Sequence, residues 1–440
     1  MLDLLGDDTE VPCLDGRPRR YVNLDYAASA PMLAAAWEAV EAFMPWYSSV
    51  HRGTGVKSQV ATAAYEDARA DVAAFVGARP DDDVVFVRNT TEAINVLSNS
   101  LPAGTRVLST PVEHHANMLP WRRHDLRTLP FPASADDLLD HVEAELRRRP
   151  ADLLAVTGAS NVTGEVWPVA ALARIAHDHG AELFVDAAQL APHRPIDMAA
   201  SGIDHLAFSG HKLYAPLGAG ALVGGVREGE PLIHGGGAVR LVTLDEVIWE
   251  NAPERYEAGS PNVVGVVALG AACRALAGLG MHTVAAHERA LARRLWAALD
   301  QIPGLRSYTL WPEGSVDRVG VATFNLDGYR HPLLAAVLSA EHAIGARHGC
   351  FCAHPLIAHL LDLSQPELDR LSRAIGPGGR PALPGAVRAS IGLGTTGADL
   401  TRLTGALADI AARGPRRSYE YLPGHDEYRP ADDRRRMLAA

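Results

Sequence analysis

Between about residues 60 and 225, short apolar runs alternate with stretches of helical periodicity. The run VVFVR (84–88) leads into TTEAINVLSNSL, and RVLST (106–110) leads into EHHANMLPWRRHD. LLAVTG (153–158) precedes VAALARIAHDHG (169–180), and AELFVDA (181–187), HLAFSG (205–210) and GAGALVGG (218–225) follow. Short continuous apolar runs are what strands covered on both faces look like. Their alternation with helices predicts an α/β layer around a mainly parallel sheet.

Residues 264–301 read as long Ala/Leu-rich helices. After IPG (302–304) the pattern changes: RVGVATFNL, a helix over 331–342, AIGARHG, AVRASIGL and a helix over 398–413 predict a smaller α+β domain. GPGGRPALPG (376–385) has the composition of a loop. From 416 on the chain is polar and reads as disordered or as an arm wrapping a partner subunit. The expected division is an N-terminal segment packing with the small domain (1–30), a large domain (31–300), a small C-terminal domain (301–415) and a polar tail (416–440).

Composition narrows the classes. Apolar residues make up 48% of the chain, enough for a sizeable core. A net charge of −11 argues against a nucleic-acid partner, whose footprint would be basic. Four cysteines, Cys13, Cys273, Cys350 and Cys352, are too few for a disulfide scaffold, and the C-x-C pair is too weak a signal for a metal site. No apolar run reaches the length of a membrane span, and MLDLLGDDTE lacks the basic start of a signal peptide. The expectation is a cytoplasmic protein without membrane contact.

The chain has 39 arginines and only two lysines, Lys57 and Lys212. Lys212 closes the strand-like run in FSGHKLYAP (208–216). An amine, unlike a guanidinium, can lose its proton and form a Schiff base with a carbonyl; a surface ion pair is the plainer alternative. Asp186 ends AELFVDA, where a carboxylate needs a partner such as a protonated pyridine nitrogen, or else caps the next segment. Thr90, Thr91 and Glu92 stand where a strand turns into a helix, a place suited to a phosphate and to an ordinary N-cap alike. His114, His115, Asn161, Gln189, Ser209 and His211 also fall at strand ends, and ligands of open α/β sheets bind beyond the carboxyl ends of strands. A lysine Schiff base with an acidic partner for a pyridinium is the binding pattern of pyridoxal 5′-phosphate (PLP).

At this point the chain resembles the class V, fold-type I PLP enzymes, within them the cysteine desulfurase and selenocysteine lyase group. The likeness runs from about 21 to 396 through YVNLDYAASAP, VHRGTG, RNTTEAIN, EHHANMLPW, SNVTGEVWPV, VDAAQLAPHRPID, FSGHKLYAPLGAG, YEAGSPN, ARHGCFCAHPL and VRASIGLGTT. It implies a large domain with a mainly parallel seven-stranded sheet, a smaller α+β C-terminal domain and PLP as cofactor. It implies Lys212 as the PLP-bearing and proton-shuttling residue, Asp186 as the pyridinium partner and His114 as the ring-stacking residue. Gln189 and Asn161 would approach cofactor and substrate, and Thr90, Thr91, Ser209 and His211 would hold the phosphate. Ser260 would reach the phosphate of a neighbouring subunit, so a homodimer is implied. Arg388, with Arg347 and Asn161, would bind the substrate. Cys352 falls on the position of the family's catalytic cysteine, with Phe351 where a histidine is usual and Cys350 at a variable position. GCFC is also similar to the motif of molybdenum cofactor sulfurases.

The activity implied is removal of sulfur from L-cysteine, leaving alanine and a Cys352 persulfide, with a sulfur-acceptor protein as a candidate partner. Residues 358–385, AHLLDLSQPELDRLSRAIGPGGRPALPG, insert where the family is usually short. A PLP aminotransferase, lyase or epimerase with an idle Cys352 is the alternative, and a non-catalytic sulfur-carrier binding module is a third.

Overall fold

The apolar runs become strands of one seven-stranded sheet in the computed structural model, which describes residues 1–226, 229–312, 314–375, 381–433 and 435. The strand order is Asp83–Val87, Gly220–Gly224, His205–Ser209, Glu182–Asp186, Leu153–Thr157, Arg106–Ser109, Asp125–Thr128. Gly220–Gly224 is antiparallel to both neighbours, and the other six run the same way. Leu153–Thr157, His205–Ser209 and Gly220–Gly224 are buried along their whole length, which is why no polar alternation marks them in the sequence. The helix Thr90–Ser100 packs Ala93, Ile94 and Leu97 onto Val85, Phe184, Ala207 and Leu222 of the sheet.

The chain forms two compact units. One comprises Met1–Leu5, Ser29–Ser160 and Val166–Ala285; the other comprises Gly6–Ala28, Asn161–Glu165 and Ala286 onward. In the second, Leu305–Tyr308, Val321–Leu326, Ala386–Ser390 and Arg347–Gly349 form an antiparallel four-stranded sheet. Phe324, Val387 and Ala389 of that sheet share a core with Leu334 and Leu338 of the helix His331–His342 and with Leu403 and Leu407 of the helix Gly397–Arg413.

The boundaries differ from those expected at 30 and 300. The helix Met281–Leu299 gives Ala292, Leu295 and Leu299 to the second core, so that unit begins inside the helix. Asn161–Glu165 joins the same unit because its backbone and Glu165 are held there. The Thr323 hydroxyl donates to the Val162 carbonyl, the Arg318 guanidinium to the Thr163 carbonyl at 2.6 and 2.9 Å, and Leu310 N–H to Glu165 Oε1 at 2.9 Å.

Three further segments depart from expectation. EHHANMLPWRRHD is two short 3₁₀ turns, His115–Asn117 and Pro120–Arg123, rather than one helix. Pro120 removes a helical donor, and Glu113 turns its carboxylate to the Thr110 hydroxyl and to Thr157 N–H of the neighbouring strand. The polar tail is not disordered over its described part: Tyr419–Leu422 and Glu427–Pro430 pair as a hairpin. Tyr421 hydroxyl donates to Asp426 at 2.9 Å, Arg330 reaches the same carboxylate at 2.7 Å, and the Arg330 guanidinium lies 4.7 Å from the Tyr421 ring centre. The insertion contains a helix, Gln365–Ala374, started by a Ser364/Glu367 capping box. Part of its expected loop, 376–380, lies outside the described residues. Among the described residues no single helix is long and apolar enough to cross a membrane.

Candidate active site

In the first unit the carboxyl ends of the parallel strands meet at one sheet edge, and the chain leaves each end through a polar turn. After Asp83–Val87 the side chain of Asn89 caps the helix Thr90–Ser100, accepting from Glu92 N–H at 3.0 Å. Glu92 in turn accepts from Arg88 N–H at 2.5 Å. Register pairs Gly220 with both Val87 and Ser209, so this helix start lies beside the end of His205–Ser209. There Ser209 Oγ accepts from Thr90 N–H at 2.8 Å and is hydrogen-bonded to the Thr90 hydroxyl at 2.7 Å, either hydroxyl being able to donate. Thr91 is exposed, and its N–H lies in the first turn, where a helix offers no carbonyl acceptor. Two hydroxyls and a helix start thus stand side by side, a neutral donor set of the kind that takes an anion.

The segment beyond Ser209 turns tightly. Lys212 N–H returns to the Ser209 carbonyl at 3.3 Å, Gly210 N–H donates to Ala219 at 2.8 Å, and Tyr214 is left-handed with φ 61°. A Cβ on Gly210 would lie 2.6 Å from the Ala219 carbonyl, so only glycine fits here. Ala30 N–H and the Ser29 hydroxyl both donate to the His211 carbonyl, at 2.8 and 3.2 Å. His211 and Lys212 are therefore presented half-buried at the sheet edge.

Asp186, ending the neighbouring strand, is 5% exposed. Burial raises its carboxyl above the ordinary range, and Ala188 N–H, donating at 3.0 Å, and the Lys212 ammonium oppose the rise. Burial, and then the same ammonium, lower His211, which favours its neutral form. Gln189 is buried three residues further on. His114 is half-buried and accepts from Ala116 N–H at Nδ1, 3.1 Å away, which leaves the ring proton on Nε2.

Beneath His114 lies a group that the sequence reading passed over. Glu113 is fully buried and accepts from the Thr110 hydroxyl (2.6 Å), Asn117 Nδ2 (2.6 Å) and Thr157 N–H (3.1 Å). Asn117 Oδ1 also holds Trp121 Nε1 at 2.9 Å. Burial, with the Asp186 charge adding to it, pushes the Glu113 carboxyl up to about 8. Its only sequence signal was an acidic residue next to the His pair at a strand end.

The second unit carries the other candidates. Arg388 lies in the strand Ala386–Ser390 and is 3% exposed. Its Nη1 donates to the Asn161 carbonyl at 2.9 Å, its Nη2 donates to Asp25 at 3.4 Å, and its Nε has no hydrogen-bond partner among the described residues. Burial lowers its pKa to about 10, with Asp25 opposing. A buried guanidinium with an unused donor suits a carboxylate. Arg347, opposite Arg388 in register, is exposed, with Nη1 3.6 Å from Asp25.

Cys352 is exposed, on a turn closed by Ala353 N–H to the Cys350 carbonyl at 2.9 Å. Both central residues are left-handed, Phe351 with φ 53° and Cys352 with φ 54°. For non-glycine residues this costs about 1–3 kcal/mol each and persists only where the surroundings enforce it. Phe351 supplies the anchor: its ring is buried, its centre is 4.9 Å from the Arg388 guanidinium carbon, and its carbonyl accepts from Asn161 Nδ2 at 2.8 Å. A Cys352 thiolate is near enough to Arg388 to favour the arginine's charge.

Thus Lys212, Asp186, His211, Thr90, Thr91, Ser209, Gln189 and His114 belong to the first unit, and Asn161, Arg347, Cys352 and Arg388 to the second. Ser260, in the first unit, lines a different recess with His51, Arg52, Gly236 and Arg240, to which none of the Lys212 group contributes. Among the described residues no cluster of His, Cys, Asp or Glu could hold a metal ion.

Comparison with known proteins decides the family. Residues 22–403 match the family described as Aminotransferase class-V. The chain belongs to that family. It is 39% identical over 378 residues to a cysteine desulfurase of Dickeya dadantii (82% of this chain, 89% of that protein) and 38% identical over 360 residues to one of Klebsiella pneumoniae (78% and 87%). Among solved structures, the apo cysteine desulfurase of Thermococcus onnurineus NA1 superposes with TM-score 0.78 at 29% identity, covering 94% of this chain and 99% of that one. The cysteine desulfurase CsdA of Escherichia coli, in its S-sulfonic acid form, gives TM-score 0.75 at 33% identity, covering 89% and 94%. The fold is fold-type I, and the class-V enzyme is PLP-dependent. The first unit fits that cofactor: Asp186 is a buried carboxylate whose one hydrogen bond among the described residues comes from Ala188, and Thr90 and Ser209 flank a helix start. Its base is therefore open to a cationic ring nitrogen, and its helix start to a phosphate.

Proposed function

We propose that the chain is a cysteine desulfurase, converting L-cysteine to alanine while a sulfur atom passes to Cys352. The observation that carries this reading is the exposed Cys352 on a strained turn whose neighbour Phe351 stacks on Arg388. The names of the curated relatives support it.

When bound, PLP supplies an electron sink for charge developing at the substrate Cα. The chain's own groups do the rest. The hydroxyls of Thr90 and Ser209, the first-turn N–H of Thr91 and His211, which burial favours in its neutral form, would hold the phosphate. Asp186 would pair with the protonated ring nitrogen, a pairing that its burial strengthens. The imidazole of His114, its tautomer set by Ala116 N–H, would stack on the ring, and Gln189 would approach the ring's oxygen. Lys212 would anchor the cofactor and take the Cα proton.

Arg388 would bind the substrate carboxylate through its guanidinium. Asn161 steadies both Arg388 and the Phe351 turn, and Arg347 adds positive charge. Cys352, as thiolate, attacks the substrate sulfur. The new S–S bond forms, the Cβ–S bond breaks with its electron pair left on carbon, and Cβ takes up a proton. Substrate plus thiol becomes alanine plus persulfide, with atoms and electrons balanced.

A homodimer belongs to the same reading. Ser260 sits in a recess bordered by Arg240 and Glu250, next to a hairpin whose Leu241, Val242, Val247 and Ile248 are exposed. A second copy would cover that apolar surface and receive Ser260 at its own phosphate.

The test is Lys212→Ala with L-cysteine as substrate. The variant loses the visible absorbance of the lysine-bound cofactor and all alanine formation. Turnover at the parental rate in Lys212→Ala would overturn the assignment, and a keto acid in place of alanine would make the enzyme an aminotransferase.

A further inference from the structure

We propose that Cys350 is a second sulfur-handling thiol, which discharges the Cys352 persulfide as sulfide by closing a Cys350–Cys352 disulfide. The inference rests on the desulfurase reading above.

Cys350 and Cys352 are the first and third residues of one turn, closed by the 2.9 Å bond from Ala353 N–H to the Cys350 carbonyl. Phe351 and Cys352 both have positive φ, as the central residues of a type I′ turn do. Two residue steps span at most roughly 7 Å when fully extended, and a turn shortens them. A disulfide needs Cα atoms roughly 4.4–6.8 Å apart, so the spacing of the two residues on the turn suits a bridge. Both are accessible, Cys352 exposed and Cys350 half-exposed, whereas Cys13 and Cys273 are buried. Phe351, between them, is pinned by Arg388 and Asn161. The residue between the two cysteines is therefore held in place.

The chemistry is thiol–disulfide exchange. The Cys350 thiolate attacks the inner persulfide sulfur, the one bonded to Cys352 Cβ. The Cys350–Cys352 S–S bond forms, the persulfide S–S bond breaks, and hydrosulfide leaves with the electron pair. The two cysteines are oxidised to a disulfide as the sulfane sulfur is reduced to sulfide. A dithiol reductant then reopens the disulfide for the next cycle. The sulfur can thus leave as sulfide without an acceptor protein touching the persulfide.

The experiment uses PLP-loaded full-length protein and L-cysteine without added reductant. Alanine and sulfide are quantified, and the 350–352 peptide is mapped by mass after thiol alkylation. Each protein's sulfide is read against its own alanine. Wild type should release about one sulfide per alanine in the first turnover and show a peptide lacking two hydrogens and refusing alkylation. In Cys350→Ser the ratio should fall severalfold, with Cys352 carrying one extra sulfur atom. Wild-type protein that keeps the extra sulfur on Cys352, with no disulfide, overturns the proposal through a readout that needs no variant. An equal sulfide-to-alanine ratio in Cys350→Ser overturns it as well. No alanine from any protein would sink the desulfurase reading itself, and this inference with it.

Discussion

Arg388 and Phe351 show how one residue's burial sets another's role. Arg388 is nearly solvent-free, and Asp25 at 3.4 Å, with the Asn161 carbonyl and the Phe351 ring, favours its charge against burial. Replacing it with alanine should raise KM for L-cysteine roughly a hundredfold, the loss of about 2–3 kcal/mol of charge-assisted hydrogen bonding. Steady-state kinetics check this, and an unchanged KM would remove Arg388 from substrate binding. Arg388 was singled out only through the family resemblance of VRASIGLGTT, since nothing local separates it from the chain's other 38 arginines. Phe351 was legible only as the absence of a histidine. Its stacking on a residue 37 positions later follows from the pairing of Arg347–Gly349 with Ala386–Ser390, and no local pattern encodes that.

At the scale of elements, the turn after His205–Ser209 and the helix Thr90–Ser100 carry the residues proposed to hold the cofactor. Gly210→Ala would force its Cβ against the Ala219 carbonyl and shift Lys212. The expected result is folded protein with little bound PLP, read from absorbance; full loading would show that the turn tolerates the shift. The buried Glu113 network has a pH signature. Its carboxyl is raised by burial, so the stability it contributes is present below the ordinary carboxylate range and declines as pH rises toward about 8. The melting temperature of the wild type should fall across that window, and Glu113→Gln should give a flatter profile whatever its absolute stability. Parallel profiles would assign the loss to another group.

The buried strands were readable to within a residue or so at their ends, because continuous apolar runs bounded by polar turns have few other uses. The edge strand Asp125–Thr128, DLRT, was missed because only partial burial asks nothing apolar of it. The helix expected through EHHANMLPWRRHD failed for the opposite reason. Its periodicity was adequate, but Glu113 binds Thr157 N–H of a neighbouring strand and Pro120 removes a helical donor.

For the whole molecule, the two-domain plan was visible in the change of pattern after 302, but the membership of Asn161–Glu165 and of Ala286 onward was not. Those assignments depend on which core a side chain joins, such as Leu295 and Leu299 in the second unit. The proposed homodimer is tested at this scale. Charged replacements at Leu241 and Val247 should yield monomers by light scattering and weaken PLP retention. Dimers with full loading would place the contact elsewhere.

The most direct test of the account is a single assay of PLP-loaded protein with L-cysteine and a thiol reductant, beside Cys352→Ala. The account predicts equal amounts of alanine and sulfide from the wild type and neither from Cys352→Ala, which still binds PLP. Undiminished alanine and sulfide from Cys352→Ala would contradict it, leaving a class-V enzyme in which Cys352 takes no sulfur.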